Sequence, residues 1–207
     1  SLARLGAQMT GLDFSPASIA QARLLAQRAG ANLEFVEANV FEAAEALPRE
    51  SFDLVYTGIG ALNWLPSIER WANAVASLLK PGGRLFIREG HPVLFSLNED
   101  RQDALVIEHP YFEQETPQVW EDDSSYVETD ARLTATITHE WNHGMGEIIS
   151  ALLSHSMQIT GLVEHDSIPW EALPGQMSCG EDGEWRLDRD RWRMPLSYTL
   201  QASKRPL

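Results

Sequence analysis

Short apolar segments alternate with helix-like segments throughout the first 90 residues of this 207-residue chain. The residue pattern predicts strands over residues 7–14, 33–39, 52–58 and 84–90, and helices over residues 16–30 and 67–79. Strands that alternate with helices in this way indicate βαβ units, whose strands lie parallel in one sheet. The runs "FDLVY" and "RLFI" are apolar almost throughout, as in strands that are covered on both faces. We therefore predict an α/β fold with a mostly parallel sheet.

The alternation breaks after Gly90, and we predict that residues 91–138 form an insertion within a single domain. Residues 98–130 hold eleven Asp or Glu residues and one basic residue, Arg101. Such a segment is either a solvated acidic surface or a cap whose inner side favours a cationic or amine-bearing substrate. Residues 104–116 and 131–141 have the β-branched and aromatic content of strands, and they could pair as an antiparallel ribbon.

Regular elements are predicted to return in the last third of the chain. A helix is expected within residues 143–156, where apolar residues follow a helical spacing. Residues 157–166 and 196–204 are predicted to be the last two strands, with the final strand antiparallel to its neighbours. Between them, residues 170–195 are rich in Pro, Gly and Trp and are predicted to be a loop.

Charge and composition limit the classes of partner. The formal net charge of −14 argues against nucleic acid, because no cationic surface is available to displace its counterions. No apolar run reaches the roughly 18 residues that a membrane-spanning helix requires, and no secretory signal precedes the first predicted helix. A single cysteine, Cys179, suits a reducing compartment. We expect a cytoplasmic protein, monomeric or homodimeric, that acts on a small molecule and on neither nucleic acid nor membrane.

Polar and small residues follow three of the predicted strands. Ligands of open parallel sheets bind outside the carboxyl ends of the strands, where Asp13, Asn39 and "TGIG" (residues 57–60) are expected. Asp13 either accepts hydrogen bonds from two ribose hydroxyls or caps the helix that starts at Ser15 and Pro16. Asn39 either contacts an adenine or is an exposed turn residue. The glycines of "TGIG" either let a ligand approach the backbone or form a simple turn.

The strand ending in "TGLD", the run "FDLVYTGIGAL" and the segment "LLKPGGRLFI" follow one another as in class I S-adenosylmethionine-dependent methyltransferases, and the sequence resembles that superfamily. The resemblance is good over residues 1–90 and weaker over residues 139–204. The segment "WLPSIERWANAVASLLKPGGRLFIREGHP" is similar to a group of bacterial small-molecule methyltransferases. The resemblance implies a Rossmann-like sheet with an antiparallel last strand, S-adenosylmethionine as cofactor, and a small-molecule methyl acceptor beneath a cap formed by residues 91–138.

The same resemblance implies which residues bind the cofactor. Asp13 would hold the ribose, and Phe14 would pack near the adenine. Asn39 stands where the superfamily usually has Asp against the adenine, and the backbone N–H of Val40 would contact the same ring. The residues expected to line the methionine end and face the acceptor are Thr57, Gly58, Ile59 and Gly60. Residues 1–5 resemble the end of the helix after the Gly-rich cofactor loop, so that loop and the first strand are expected to lie outside this sequence.

Methyl transfer to a hydroxyl or an amine also needs a group that removes a proton. The segment "REGHP" ends the fourth predicted strand and offers Glu89 and His91 as catalytic candidates. The alternative for His91 is a hydrogen-bonded loop histidine. His139 and His143 bracket Trp141, but a metal site needs a further ligand of suitable geometry, and we predict no metal.

Two other functions remain open from the sequence. An NAD-dependent oxidoreductase would use Asp13 on the ribose of its own cofactor in the same way. A non-catalytic nucleoside-binding or scaffold relative could keep the fold without turnover. The closing pair of strands and the segment "LLKPGG" favour the methyltransferase over the oxidoreductase.

Overall fold

The computed structural model describes residues 2–121 and 136–206. Its first part begins with a 3-10 helix at Leu2–Leu5, followed by strand β1 at Met9–Asp13, helix α1 at Pro16–Arg28 and strand β2 at Leu33–Glu37. Helix α1 starts as its residues predict, because the Ser15 side chain accepts a hydrogen bond from the N–H of Ser18 and a proline occupies the first turn. The predicted strand–helix–strand unit is confirmed with somewhat shorter strands.

The second strand–helix–strand unit follows directly. Its elements are a 3-10 helix at Val40–Glu42, α2 at Ala43–Ala46, β3 at Phe52–Thr57, a 3-10 helix at Leu62–Trp64, α3 at Ile68–Leu78 and β4 at Leu79–Gly90. Strand β4 begins five residues before the predicted start at residue 84, because the Pro81–Gly83 turn is taken into the strand with a register irregularity opposite residues 52–54. The prediction of strands and a helix in this region is otherwise confirmed.

The remaining elements form the rest of the sheet and two small ribbons. They are α4 at Pro92–Phe95, β5 at Gln118–Glu121, β6 at Ile137–Glu140, α5 at Met145–Ser154, β7 at Met157–His165, β8 at Met177–Cys179, β9 at Trp185–Leu187, a 3-10 helix at Arg191–Arg193 and β10 at Ser197–Lys204. The predicted helix within residues 143–156 and the last two strands are confirmed.

The strands that carry the candidate site run parallel to each other in pairs. Strand β1 pairs with β2, and β3 pairs with β4, both in parallel. A four-stranded sheet has the order β3-β4-β10-β7, in which β10 is antiparallel to both of its neighbours. The predicted α/β class, with a Rossmann-like arrangement and an antiparallel last strand, is confirmed. A ligand is therefore expected at the carboxyl ends of these two parallel pairs.

The main hydrophobic core lies between the four-stranded sheet and helices α3 and α5. Trp71 of α3, Ile87 of β4, Leu152 of α5 and Leu200 of β10 are all almost completely buried in it. By contrast, α1 buries a single residue, Ile19, whereas Leu25 on the same helix is 69% exposed. The four-stranded sheet, α3 and α5 thus form the packed centre of the molecule.

Two predictions about the second half are wrong in part. Residues 104–116 form no regular strand. Their polar groups are used locally instead: the N–H groups of Glu108 and His109 both donate to the Ser96 carbonyl. The antiparallel ribbon forms between β5 and β6, so only its second strand lies within a predicted segment. The predicted loop at residues 170–195 contains the β8–β9 hairpin, whose turn includes Gly183 with a φ of +77°.

The acidic stretch at residues 122–130 and the start of the predicted strand at residues 131–141 lie outside the described residues. Within the two described ranges, no helix combines the length and the apolar composition needed to cross a membrane.

Candidate functional site

Asp13 and Asn39 lie close to each other at the carboxyl ends of the neighbouring strands β1 and β2. Residue 13 ends β1, and its carbonyl accepts a hydrogen bond of 3.0 Å from the N–H of Ala38, the residue before Asn39. This parallel pairing brings together two of the predicted cofactor-binding residues.

The Asp13 carboxylate contributes to the turn that leads into α1. Its Oδ1 atom accepts a hydrogen bond of 2.7 Å from the N–H of Ser15. Among the described residues, Oδ2 has no hydrogen-bond partner. The helix-capping alternative therefore accounts for one oxygen of this half-buried side chain and leaves the other available to a ligand.

Phe14 and Asn39 are exposed beside Asp13. The Phe14 ring is 75% exposed, which is unusual for a phenylalanine and suits a ring that stacks on a ligand. The Oδ1 atom of Asn39 accepts a hydrogen bond of 3.0 Å from the N–H of Phe41 and starts the short 3-10 helix. The amide nitrogen of Asn39 stays available as a donor, and Val40 packs against the main core.

The loop after β3 is held by the carboxylate of Glu89 at the end of β4. The N–H of Gly60 donates to Oε1, and the N–H groups of Ala61 and Leu62 donate to Oε2 at 2.8 and 3.0 Å. Gly90 donates a further bond of 2.9 Å to Oε1. Sequence reasoning missed this contact because 27 to 29 residues separate the loop from its acceptor. The available signal was an acidic residue in the otherwise apolar end of a central strand.

Burial and hydrogen bonding act on Glu89 in opposite directions. Desolvation raises the pKa of this carboxyl, which is only 2% exposed, and the four backbone N–H groups partly offset that rise. With both oxygens occupied by backbone donors, the geometry favours Glu89 as the residue that positions the 57–62 loop.

His91 is also buried, and both of its ring nitrogens are engaged. Nδ1 accepts a hydrogen bond of 3.2 Å from the N–H of Val93 and caps the short helix α4. Nε2 lies 2.9 Å from Oε1 of Glu164 on β7. This pattern fits a neutral imidazole that donates from Nε2. Burial lowers the pKa of His91, while the neighbouring Glu164 acts in the opposite direction.

A small cavity lies behind the 57–62 loop, next to Glu89. Its volume is about 10 Å³, close to the space that a single water molecule requires. Its lining includes Leu62, Asn63, Glu89, Trp141, His143 and Tyr198. Three of these residues carry a buried polar atom that lacks a partner in the described part of the chain: Asn63 Oδ1, Trp141 Nε1 and the Tyr198 hydroxyl. Neither Asn63 nor Tyr198 was predicted as a site residue, because the residue sequence does not show which buried polar atoms lack a partner.

A larger open groove of about 640 Å³ lies beside α3 and α5. Its wall is acidic, but two of its carboxylates already serve the fold. Glu113 accepts from the N–H of Ile68 at 2.9 Å and contacts His143 Nδ1 at 2.8 Å. Glu147 accepts from the N–H groups of Gly144 and Glu113. Glu113 and Glu147 therefore act as hydrogen-bond acceptors that hold neighbouring segments together.

The described residues form no group of three or more His, Cys, Asp or Glu side chains able to hold a metal. His143 is almost completely buried, and its Nε2 lies 2.8 Å from the Leu65 carbonyl. His139 is exposed on β6.

The strand-end residues fit an adenosine-bearing cofactor. Asp13 offers a free carboxylate oxygen for ribose hydroxyls, and Phe14 offers an exposed ring face. At Gly60, whose φ is +76°, a Cβ would meet no atom within 4 Å, so the backbone is open to a ligand there. The Asp13–Asn39 group lies at the carboxyl ends of the β1–β2 pair, and the Gly60–Glu89 group lies at those of the β3–β4 pair. No hydrogen bond between described residues joins the two groups.

Comparison with known proteins gives a sequence match over the first part of the chain. Residues 1–87 match the family model described as a methyltransferase domain. Ubiquinone biosynthesis O-methyltransferase from Xanthomonas euvesicatoria pv. vesicatoria is 40% identical over 87 residues, which are 42% of this chain and 36% of that protein. The chain thus matches about a third of the length of such curated relatives.

Similarity to solved structures extends over almost the whole chain. A putative S-adenosylmethionine-dependent methyltransferase from Listeria monocytogenes superposes with a TM-score of 0.62 at 15% identity, covering 96% of this chain and 80% of that one. One from Methanosarcina mazei gives 0.61 at 18% identity, covering 100% and 86%. The predicted resemblance to class I S-adenosylmethionine-dependent methyltransferases is therefore confirmed, in sequence over residues 1–87 and in fold over nearly all of the chain.

Proposed function

We propose that this protein transfers a methyl group from S-adenosylmethionine to a small-molecule acceptor. The observation that supports this most directly is the half-buried Asp13 carboxylate at the end of β1, with one oxygen free, within the segment that matches a methyltransferase domain. The bound cofactor would supply a methyl group on a sulfonium, which is already activated for displacement. The protein then has mainly to hold and align the reactants.

Each strand end has a separate part in this alignment. Asp13 accepts hydrogen bonds from the ribose hydroxyls, and Phe14 packs against the adenine. Asn39 and the backbone N–H of Val40 contact the adenine edge. The loop of residues 57–60 lines the methionine end and faces the acceptor, and Glu89 fixes its conformation through the N–H groups beyond Thr57.

Methyl transfer to a hydroxyl or an amine also requires a base for the acceptor's proton. The sequence predicts His91 as the base, and Glu89 is the second candidate. Before His91 could accept a proton at Nδ1, it would have to release the N–H of Val93. We therefore give Glu89 a positioning role and keep His91 as the candidate base. Replacement of His91 by Asn should lower turnover while leaving cofactor affinity nearly unchanged, and unchanged turnover would remove His91 from the mechanism.

Residues 91–138 are proposed to cover the acceptor, as the sequence suggests. Pro92 and Phe95 from the start of this segment line the cavity behind the loop. Glu113, further along, is bonded to the first residue of α3. These contacts fix the described part of the segment against elements that surround the 57–62 loop.

Calorimetry with S-adenosylhomocysteine tests the cofactor assignment. The Asp13→Asn variant keeps an acceptor for the N–H of Ser15 but loses the charge that strengthens bonds to the ribose. We expect its affinity to fall by about tenfold or more, which corresponds to about 1.4 kcal/mol. Glu34→Gln, on the exposed side of β2, is the matched control and should bind like the unmodified protein.

The same titration separates the alternatives. Binding of NADH without binding of S-adenosylhomocysteine would support the oxidoreductase instead. Failure of the intact protein to bind either compound would favour a non-catalytic relative. Formation of S-adenosylhomocysteine from S-adenosylmethionine with a candidate acceptor would then establish turnover.

A further inference from the structure

The cavity behind the 57–62 loop is lined by residues with unpaired polar atoms that the proposed reaction does not use. The Tyr198 side chain is 0% exposed, and its hydroxyl has no partner in the described ranges. The buried Trp141 Nε1 and Asn63 Oδ1 atoms are also unpaired there. Buried polar atoms without partners are uncommon and costly, and three of them around one cavity indicate a site for a hydrogen-bonding group.

The sheet register directs Tyr198 towards Glu89. Tyr198 lies opposite Glu89 across the β4–β10 pair, so both side chains are on the same face of the sheet. Both residues line the cavity, together with Leu62 at the end of the loop that Glu89 holds. The cavity is therefore adjacent to the segment proposed to face the methyl acceptor.

On this basis we propose that the cavity binds an uncharged hydroxyl group of the methyl acceptor, so that the substrate is an alcohol or a phenol. This inference rests on the proposed function.

The three unpaired atoms define the required chemistry. Trp141 Nε1 can only donate, Asn63 Oδ1 can only accept, and the Tyr198 hydroxyl can do either. A hydroxyl group is able both to accept from a donor such as Trp141 Nε1 and to donate to an acceptor such as Asn63 Oδ1. An ammonium group cannot accept from Trp141, and a carboxylate cannot donate to Asn63.

Charge and size lead to the same class of group. No Lys or Arg lines the cavity, and the Glu89 carboxylate lies in its wall. An anionic group would therefore meet a like charge without a compensating cation. The volume of about 10 Å³ suits one hydroxyl-sized group, so the rest of the acceptor must lie outside the cavity.

Phenol is the probe for this site, with benzene, benzoate and benzylamine as comparisons that lack a neutral hydroxyl. Binding is measured by NMR titration of the full chain saturated with S-adenosylhomocysteine. We expect phenol to bind more tightly than the three comparisons. Tyr198→Phe should weaken phenol by about threefold to tenfold and leave the affinity for S-adenosylhomocysteine unchanged. Tyr56→Phe, at a half-exposed tyrosine on β3, is the matched control and should change neither affinity.

The Tyr198→Phe variant is expected to fold, because it removes a buried hydroxyl that has no partner and keeps the ring. A crystal structure with phenol should place the phenol oxygen within hydrogen-bond distance of Trp141 Nε1 or Tyr198. Equal affinity for phenol and benzene, no binding of phenol, or a cavity holding only water in the phenol complex would each overturn the inference. Failure to bind S-adenosylhomocysteine would instead overturn the proposed function, so the two failures are distinguishable.

Discussion

At the scale of single residues, Glu89 has structural contacts that its position in the sequence did not predict. Its position at the end of a parallel strand suggested acid–base chemistry. Its two oxygens instead accept four backbone hydrogen bonds, three of them from the loop after β3. A carboxylate supplies enough acceptor sites for four N–H groups, whereas a neutral side chain of the same shape does not.

Glu89→Gln should therefore destabilise the protein. The amide nitrogen would face backbone N–H groups and leave buried donors unpaired, at a cost of about 1–3 kcal/mol in the free energy of unfolding. Urea denaturation measures this change, with the exposed Glu181→Gln as the matched control. A variant as stable as the control would show that the carboxylate does not hold the loop.

His91 should make stability depend on pH in a defined direction. Burial lowers its folded-state pKa below the ordinary value of 6.5. As pH falls through the interval between these two values, the unfolded state takes up a proton before the folded state does, so the free energy of unfolding decreases. Urea denaturation between about pH 7.5 and about pH 5.5 should show a smaller loss of stability in His91→Gln than in the unmodified protein. Equal losses in both proteins would contradict the assignment.

At the scale of elements, the start of α3 shows what local sequence can and cannot specify. Ser67 was predicted near the helix start, and its hydroxyl accepts from the N–H of Arg70 at 3.4 Å. The shorter bond, 2.9 Å, runs from the N–H of Ile68 to Glu113, which lies 45 residues further along the chain. The helix therefore has a local cap that its sequence predicts and a distant cap that only the folded chain supplies.

Glu113→Ala should cost more stability than Ser67→Ala. Loss of the serine cap is expected to cost about 0.5–2 kcal/mol. Loss of Glu113 leaves the Ile68 N–H unpaired and also removes the partner of the buried His143 Nδ1. Paired urea denaturation curves decide the order, and a larger effect at Ser67 would show that the long-range contact is unimportant.

At the scale of the whole molecule, stability is concentrated in the four-stranded sheet and the two helices packed on it. Leu200 in the central strand β10 is 0% exposed within this core, whereas Leu25 on α1 is 69% exposed. The two leucines therefore form a matched pair for measuring where the free energy of folding resides.

Leu200→Ala should lower the free energy of unfolding by about 2–5 kcal/mol, because it removes buried apolar area and leaves a cavity. Leu25→Ala should change it by less than about 0.5 kcal/mol, since the surface is solvated and Ala is a good helix former. Thermal denaturation of both variants tests the contrast. Similar losses in the two variants would mean that α1 shares the main core.

The strands and helices of the first 90 residues followed from local rules: apolar strands, Ser15 and Pro16 at the start of α1, and the Pro81–Gly83 turn before the central strand. Each of these signals lies within a few residues of the structure it produces, so the sequence alone determined the α/β class and placed Asp13, Asn39 and residues 57–60 at strand ends.

Only the tertiary structure decided what these ends contact. The hydrogen bonds that Glu89 accepts from the 57–62 loop and the second cap of α3 join segments tens of residues apart, and strand pairing brings Tyr198 opposite Glu89. Such contacts depend on how strands align across a sheet and on how distant loops pack against helices, and local residue patterns encode neither.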